Sequence, residues 1–389
     1  MPDTNIPRHY RMQICLSMAE IGELNWNQLL QAAGVDQVFL SFGFLHSLEL
    51  TACVGQNKDG HSGWQSCFMT LWEDNMLVAA MPLYQKLHSY GEYVFDWSWA
   101  EAYQRRGGDY YPKLVSAIPF TPVSGPRLLA ATPAAQAELV LQLRLFCTNL
   151  GFSSAHVLFP IEQEIPILQQ QGFQLRTAVQ FHWDNPAYAD FAEFLSTLTS
   201  KKRKNILAER RKVQQAGLSF RHLKGGEIQP QDWHFFFACY QRTYQEHHSH
   251  AYLNLDFFLQ LAQQVPQNLL LILAYHDQQP VAAALNFYDD TCLYGRYWGC
   301  LDRYDSLHFE TAYYQGQEFC IQQQIPKFEG GAQGAHKLAR GFQAVTTHSC
   351  HYLHDTEFSK AVALFLAREQ EHIKLSMQEF YLHSAYRSE

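Results

Sequence analysis

Residues 269–299 read LLLILAYHDQQPVAAALNFYDDTCLYGRYWG. Three apolar, β-favouring runs are separated by polar breaks at His276–Pro280 and at Asp289–Asp290, which predicts strand, turn, strand, turn, strand. The chain then continues as a helix-like stretch, FETAYYQGQEFCIQQQI, and a short strand in PKFEGGA (326–332). The first half carries an echo of this order. FMTLWEDNMLVAAMPLYQK (68–86) reads as strand, polar turn and a second strand over Met76–Tyr84, and it contains LVAAMPLY against the later PVAAALNFY. A helix, AAQAELVLQLRLFCTNLGF, and a strand in SSAHVLFP (153–160) follow. A hairpin, helix and strand used twice implies a tandem α/β duplication.

Length agrees with two units, because 389 residues exceed what one ordinary core organises. The Asn-Pro punctuation of WDNPAYAD places the boundary near 184–190, giving domains 1–187 and 188–389. Between them FAEFLSTLTSKKRKNILAERRKVQQAG (191–217) predicts two helices with a glycine stop, and LSFRHL (218–223) a strand.

Composition excludes several classes. Hydrophobic residues make up 47% and charged residues 17%, so the chain is not disordered. A net charge of −8 gives no global basic field for nucleic acid. The nine cysteines lack CxxC spacing, which argues against a disulfide framework or a zinc site and fits reduced thiols. No apolar run is long enough to span a membrane. The start MPDTNIPRHYRMQICLSMAEIG shows no apolar core followed by a cleavage site, so a cytoplasmic protein is expected.

Charge is nevertheless uneven. KKRKNILAERRK (201–212) holds seven of the 29 Lys and Arg against one Glu. It reads either as a solvated face or as a seat for the phosphates of coenzyme A, a nucleotide sugar or tRNA, with Lys201, Lys202, Arg203 and Lys204 foremost. The block 84–129, rich in Tyr, Trp and Pro, is long for a loop, and its charges need partners or a ligand. Glu92, Asp96, Glu101, Asp109, Lys113 and Arg127 are read as facing a substrate cavity walled by Tyr110, Tyr111 and Pro112. In 294–319, Asp305-Ser306 reads as a helix cap, which puts His308 and Glu310 in the first helical turn near Asp302 and Arg303. FEGGAQGAHKLARGF (328–342) packs four glycines with His336, Lys337 and Arg340, a composition that suits close backbone approach to a phosphate or oxyanion through Gly331 and Gly334.

Several of these phrases carry a family resemblance. FLSFGFLHSLE (39–49), HSYGEYVFDWSWAEAY (88–103), YYPKL (110–114), PFTPVSGPRLL (119–129), LDRYDSLHFETAYYQGQEFCI (301–321) and FEGGAQGAHKLARGF resemble the FemAB-like branch of the GNAT acyltransferase superfamily. The basic helix is similar to the one that opens the second domain of Fem peptidyltransferases, and LARGF to their late substrate segment. The family pattern carries Glu after GAQG, where this chain has Ala335. The resemblance implies an α/β fold of tandem GNAT-like domains, each a mixed, mostly antiparallel sheet flanked by helices. It also implies N-acyl transfer in a cleft, from acyl-CoA or aminoacyl-tRNA as co-substrate and with no tightly bound cofactor, to a small-molecule amine or a peptide or glycopeptide. As general base it points to Glu310, His308, Asp302 and His336, and as substrate contacts to Glu92, Asp96, Tyr110, Tyr111, Lys113, Arg127 and Tyr314. Lys337, Arg340 and the basic helix would hold phosphates. The rival expectation is a non-catalytic protein that recognises an anionic glycan, nucleotide or tRNA.

Overall fold

The computed structural model describes residues 10–57, 60–331 and 334–387, so Ala332 and Gln333 of the glycine-rich stretch lie outside the described residues. The chain forms two compact units, one of residues 1–177 with 348–370 and one of 178–347 with 371–389. This differs from a division at 187/188 because three long elements, Gln174–Asp184, Gln343–Leu353 and Thr356–Leu382, each run from one unit into the other. The fold class is the expected one: mixed α/β, with mostly antiparallel sheets and flanking helices.

In the first unit, an antiparallel sheet orders Arg11–Cys15, Phe68–Glu73, Met76–Met81 and Leu129–Ala130. The apolar run 76–84, expected as one strand, is cut at Pro82, which has no N–H to give a ladder. Its second part, Leu83–Lys86, joins another sheet with Trp64–Ser66, Lys113–Ser116 and Ser154–Leu158. The helix Pro133–Asn149 starts as its sequence dictates. The Thr132 side chain accepts from the Ala135 N–H, and Pro133 occupies the first turn, where no amide donor is needed. Its Leu139, Val140, Leu143 and Cys147 recur at helical spacing and pack on Leu71, Ala79, Met81 and Val157.

In the second unit the quoted stretch is the centre of the sheet. Leu269–His276, Gln279–Tyr288 and Cys292–Cys300 form the expected meander. Asp277 and Gln278 both adopt positive φ, as a two-residue hairpin turn requires. At the other turn Asp289 Oδ1 accepts from the Thr291 and Cys292 amides. Leu218–Lys224 adds on one side. On the other, Lys327–Glu329 runs parallel to the third meander strand, and Gln174–Asp184 follows it. The helices Phe191–Thr197 and Ser200–Gln215 form where expected, with Gly217 left-handed after them.

Gly299 shows how closely the helix Pro230–Glu246 lies on this sheet. A Cβ there would stand 2.2 Å from the Cys239 carbonyl oxygen, a backbone atom that cannot step aside alone. Gly299→Ala is therefore expected to lower unfolding stability by about 1–3 kcal/mol, the usual cost of overpacking. Urea denaturation of the purified variant measures this, and an unchanged midpoint would count against so tight a helix–sheet contact.

Candidate functional site

Two constellations emerge, one in each unit. In the first unit the expected substrate-facing charges are instead interior. Lys113, Glu92, Asp96 and Tyr110 are all buried, and they contact one another. The Lys113 ammonium donates to Ser89 Oγ and Glu92 Oε2, each at 2.8 Å, and to Asp96 Oδ2. Tyr110 donates to Asp96 at 2.7 Å and reaches 3.4 Å from His156 Nε2. From there the polar chain continues through His156 Nδ1 to His351 Nδ1 at 2.7 Å and on to Ser349. Tyr111 is half-buried and bonds Ser89.

Burial opposes the charge on Asp96, but the Lys113 ammonium overrides it and holds the carboxyl below its usual range. Burial pushes Glu92 up to about 7 against the same ammonium. The Lys86 amine, stacked 3.9 Å from the Trp64 ring centre, is brought down to about 7 by burial. Burial likewise depresses His156 to about 3, and it depresses His351, so both rings are neutral at pH 7. One neutral ring then donates its Nδ1 proton to the other.

Arg127 belongs elsewhere in the unit. It gives its side chain to the Leu158 and Val123 carbonyls, while its amide meets the Glu164 carboxylate. Glu101 and Asp109 are exposed. The physical reason for the difference is that the block 84–129 is not one loop. It contains the helix Trp97–Arg105 and the strand Lys113–Ser116, which carry these side chains inward.

The second unit supplies an open pocket of about 480 Å³. The parallel pairing of Cys292–Cys300 with Lys327–Glu329 lasts three residues, Cys292 to Tyr294. Past that point the first strand runs on while the second ends at Glu329. Gly295, Arg296, Tyr297 and Trp298 line the pocket with Gly330, Asn286, His308 and Tyr313. The pairing of this strand with Gln279–Tyr288 shifts register between Leu285 and Asn286, which leaves Arg296 as a bulge residue. A second open pocket shares Trp298 and His308 and extends to Arg303, Tyr304 and Phe309.

Of the candidates for a base, His308 faces the pocket. Its ring packs 4.6 Å from Trp298 and 5.3 Å from Tyr313, centre to centre. Burial, helped by His336, Lys337 and Arg340, lowers it to about 4, so the imidazole is neutral at pH 7. His336 lies 6.1 Å from it and meets Tyr313 Oη at 3.0 Å. Burial pushes Tyr313 up to about 12, so its hydroxyl stays protonated.

Glu310 points away from the pocket lining. It is buried, 3.0 Å from the Arg210 guanidinium, and accepts from Gln315 at 2.8 Å. Asp302 is exposed. The helix begins at Leu307 as expected, but Ser306 is left-handed and makes no capping bond. A π turn at Glu310–Tyr314 then sends consecutive tyrosines to different neighbours: Tyr313 to the pocket and Tyr314 to Glu209.

Gly331 and Gly334 both have positive φ, and a Cβ on Gly334 would fall 2.3 Å from the His336 ring. Lys337 is buried and lowered by that burial to about 8, and its Nζ lies 3.4 Å from the Gly331 carbonyl. Arg340 is buried against Phe309. Lys201 and Lys204 are exposed and Lys202 and Arg203 half-buried at the start of the basic helix. Among the described residues none of these four forms an ion pair. The sequence reading missed Arg296, Trp298 and Tyr313, although YGRYWG places two large polar-tipped side chains two apart on a sheet-centre strand. It also missed His156 and His351, for which a histidine inside SSAHVLF was the available signal.

Lys113→Met leaves Glu92 and Asp96 buried without their cation and is expected to lose about 3–5 kcal/mol. Adding Glu92→Gln and Asp96→Asn is expected to restore most of that, as read by denaturant midpoints. His308 is more easily protonated in the unfolded chain (near 6.5) than in the folded one (about 4). Its contribution to stability is thus present above pH 6.5 and is lost as pH falls through 4. The difference in stability between wild type and His308→Ala should shrink across that window, and a pH-independent difference would contradict it.

Comparisons with known proteins place this fold. It aligns with the C-terminal domain of a putative lysylphosphatidylglycerol synthetase from Agrobacterium fabrum (TM-score 0.53, 10% identity, 90% of this chain and 97% of that one). It also aligns with FemX (0.51, 8%, 91% and 100%) and with L-PGS from Bacillus licheniformis (0.51, 10%, 89% and 96%). At such identities the likeness is one of fold. No curated protein matches the chain by sequence. The FemAB-like family model, described as peptidoglycan biosynthesis/recognition, matches residues 17–388, and the chain belongs to that family.

Proposed function

We propose that this protein is an N-acyltransferase that moves an acyl or aminoacyl group from a thioester or ester donor to an amine, with the chemistry in the pocket of the second unit. The observation that carries this reading is His308, a neutral imidazole facing an open pocket where two parallel strands part. Acyl transfer to an amine needs three things: a group to take the amine proton, donors for the oxyanion, and a proton for the leaving group. His308 takes the proton as the amine nitrogen bonds to the acyl carbon. Arg296, which lines the pocket at the strand bulge, is the cationic donor that meets the oxyanion. As the carbon–sulfur or carbon–oxygen bond breaks, Tyr313 returns a proton to the departing atom, and its link to His336 provides for its own reprotonation.

Family membership and the name FemX favour a peptide or glycopeptide of peptidoglycan assembly as acceptor and aminoacyl-tRNA as donor, with acyl-CoA the other candidate. Either donor brings phosphates, for which the unpaired Lys201, Lys202, Arg203 and Lys204 are suited. A cytoplasmic location belongs to the same reading. No helix among the described residues is long and apolar enough to cross a membrane.

The test is transfer itself. Purified protein is incubated with acyl-CoA and aminoacyl-tRNA panels and with amine-bearing peptidoglycan-precursor peptides, and products are read by mass spectrometry. His308→Ala should lower kcat by about 10²–10⁴-fold, the usual weight of a general base, and leave donor affinity unchanged. Tight ligand binding without transfer or donor hydrolysis in any combination would instead identify a recognition protein.

A further inference from the structure

We infer that Glu209, on the basic helix and outside the pocket, is a positioning residue that holds the Tyr313 and His336 side of the pocket in place. For its catalytic consequence the inference rests on the acyltransferase reading; its geometric content does not.

Glu209 sits between the two segments that carry those residues. One of its carboxylate oxygens accepts from the Tyr314 hydroxyl, and the other accepts from Arg340 Nη2 at 2.7 Å. Tyr314 closes the π turn directly after Tyr313, and Arg340 ends the 3-10 segment Ala335–Arg340 that contains His336. Arg340 is itself a bracket. Its Nη1 donates to the His336 carbonyl at 2.7 Å, and its guanidinium lies on the Phe309 ring, 3.3 Å from the centre. Its backbone oxygen is held by Gln317 Nε2 at 2.9 Å.

The Arg340 side chain is only 7% exposed. A guanidinium that far from water, laid on an apolar ring, stays there because an acid faces it, and Glu209 is the acid that does so. Remove that acid and the low-energy course is for Arg340 to turn out to water. The His336 carbonyl and the Phe309 face then lose their partner, and the 3.0 Å bond between Tyr313 and His336 loses its support. The neighbouring Arg210 repeats the device on the same helix, bridging Glu310 and Glu318. The middle of the basic helix is thus bolted to both segments that shape one wall of the pocket.

The experiment uses the full chain and three variants: Glu209→Gln, Glu209→Asp and, as a control, Arg176→Lys. The control weakens the two-pronged Arg176–Glu369 pair and touches none of the pocket residues. Histidine ring resonances are titrated by NMR, with His336 assigned by its loss in His336→Gln. Burial, Lys337 and Arg340 together hold His336 below its ordinary value in the wild type. The expected result is an upward move of the His336 midpoint in Glu209→Gln as Arg340 leaves, little change in the control, and partial return in Glu209→Asp. Where transfer is measurable, Glu209→Gln should lower kcat by about 10²-fold with KM nearly unchanged, as for a small misplacement of reacting groups. An unmoved or lowered His336 midpoint in Glu209→Gln overturns the inference, as does an equal shift in the control. If the wild type transfers nothing, the acyltransferase reading fails, while the titration still decides whether Glu209 positions this wall.

Discussion

The pocket depends on a parallel pairing that stops after three residues. Leu293 and Phe328 face each other across it, and two glycines decide what happens next. A Cβ on Gly295 would stand 3.0 Å from the Phe328 ring, and one on Gly316 2.7 Å from it. The wholly buried Phe328 ring therefore fills the volume of two missing side chains and ties the strand to the helix behind it. Beyond this contact the extended strand bulges at Arg296, its short neighbour turns off at Gly330, and the gap becomes the pocket. A hydrophobic contact thus fixes where the parallel pairing ends and the pocket begins.

The two units solve the burial of charge differently. The first encloses Lys113 with two carboxylates and extends the polar chain through Tyr110 to a pair of neutral histidines, all of it inside. The Lys113 ammonium bonds one oxygen of each carboxylate, while Glu92 Oε1 and Asp96 Oδ1 are buried without a hydrogen-bond partner among the described residues. The second unit instead spreads its ion pairs around an opening: Arg340 with Glu209, and Arg210 with Glu310 and Glu318. Of the groups that line the opening beside Arg296, His308 and Tyr313 carry no net charge at neutral pH.

Much of this was legible in the chain. The meander at 269–299 announces itself because a strand buried on both faces needs an unbroken apolar run such as Leu269–Ala274. The basic helix and its glycine stop follow from local rules. Tertiary partners were not legible. Glu310 and His308 stand two apart near a helix start, and their sequence setting is alike. Only the fold puts Arg210 beside one and a pocket beside the other, since the π turn breaks the ordinary helical spacing from which facing residues are counted. For the same reason the block 84–129 revealed that its charges needed partners without revealing that the partners were one another. Pro82 was the one visible reason to divide the 76–84 strand.

The π turn at Glu310–Tyr314 has a historical side. A wide turn of this kind is what one extra residue produces when it enters an existing α-helix without unfolding it, because every later residue is rotated by about a quarter turn or more. Beyond the turn Phe319 and Cys320 pack in the core and Glu318 pairs with Arg210. A descendant or cousin of this chain that lacked the extra residue would carry a one-residue gap at this point of an alignment. In such a chain the side chains that follow the gap would meet the pocket and the acid on the basic helix in a different register.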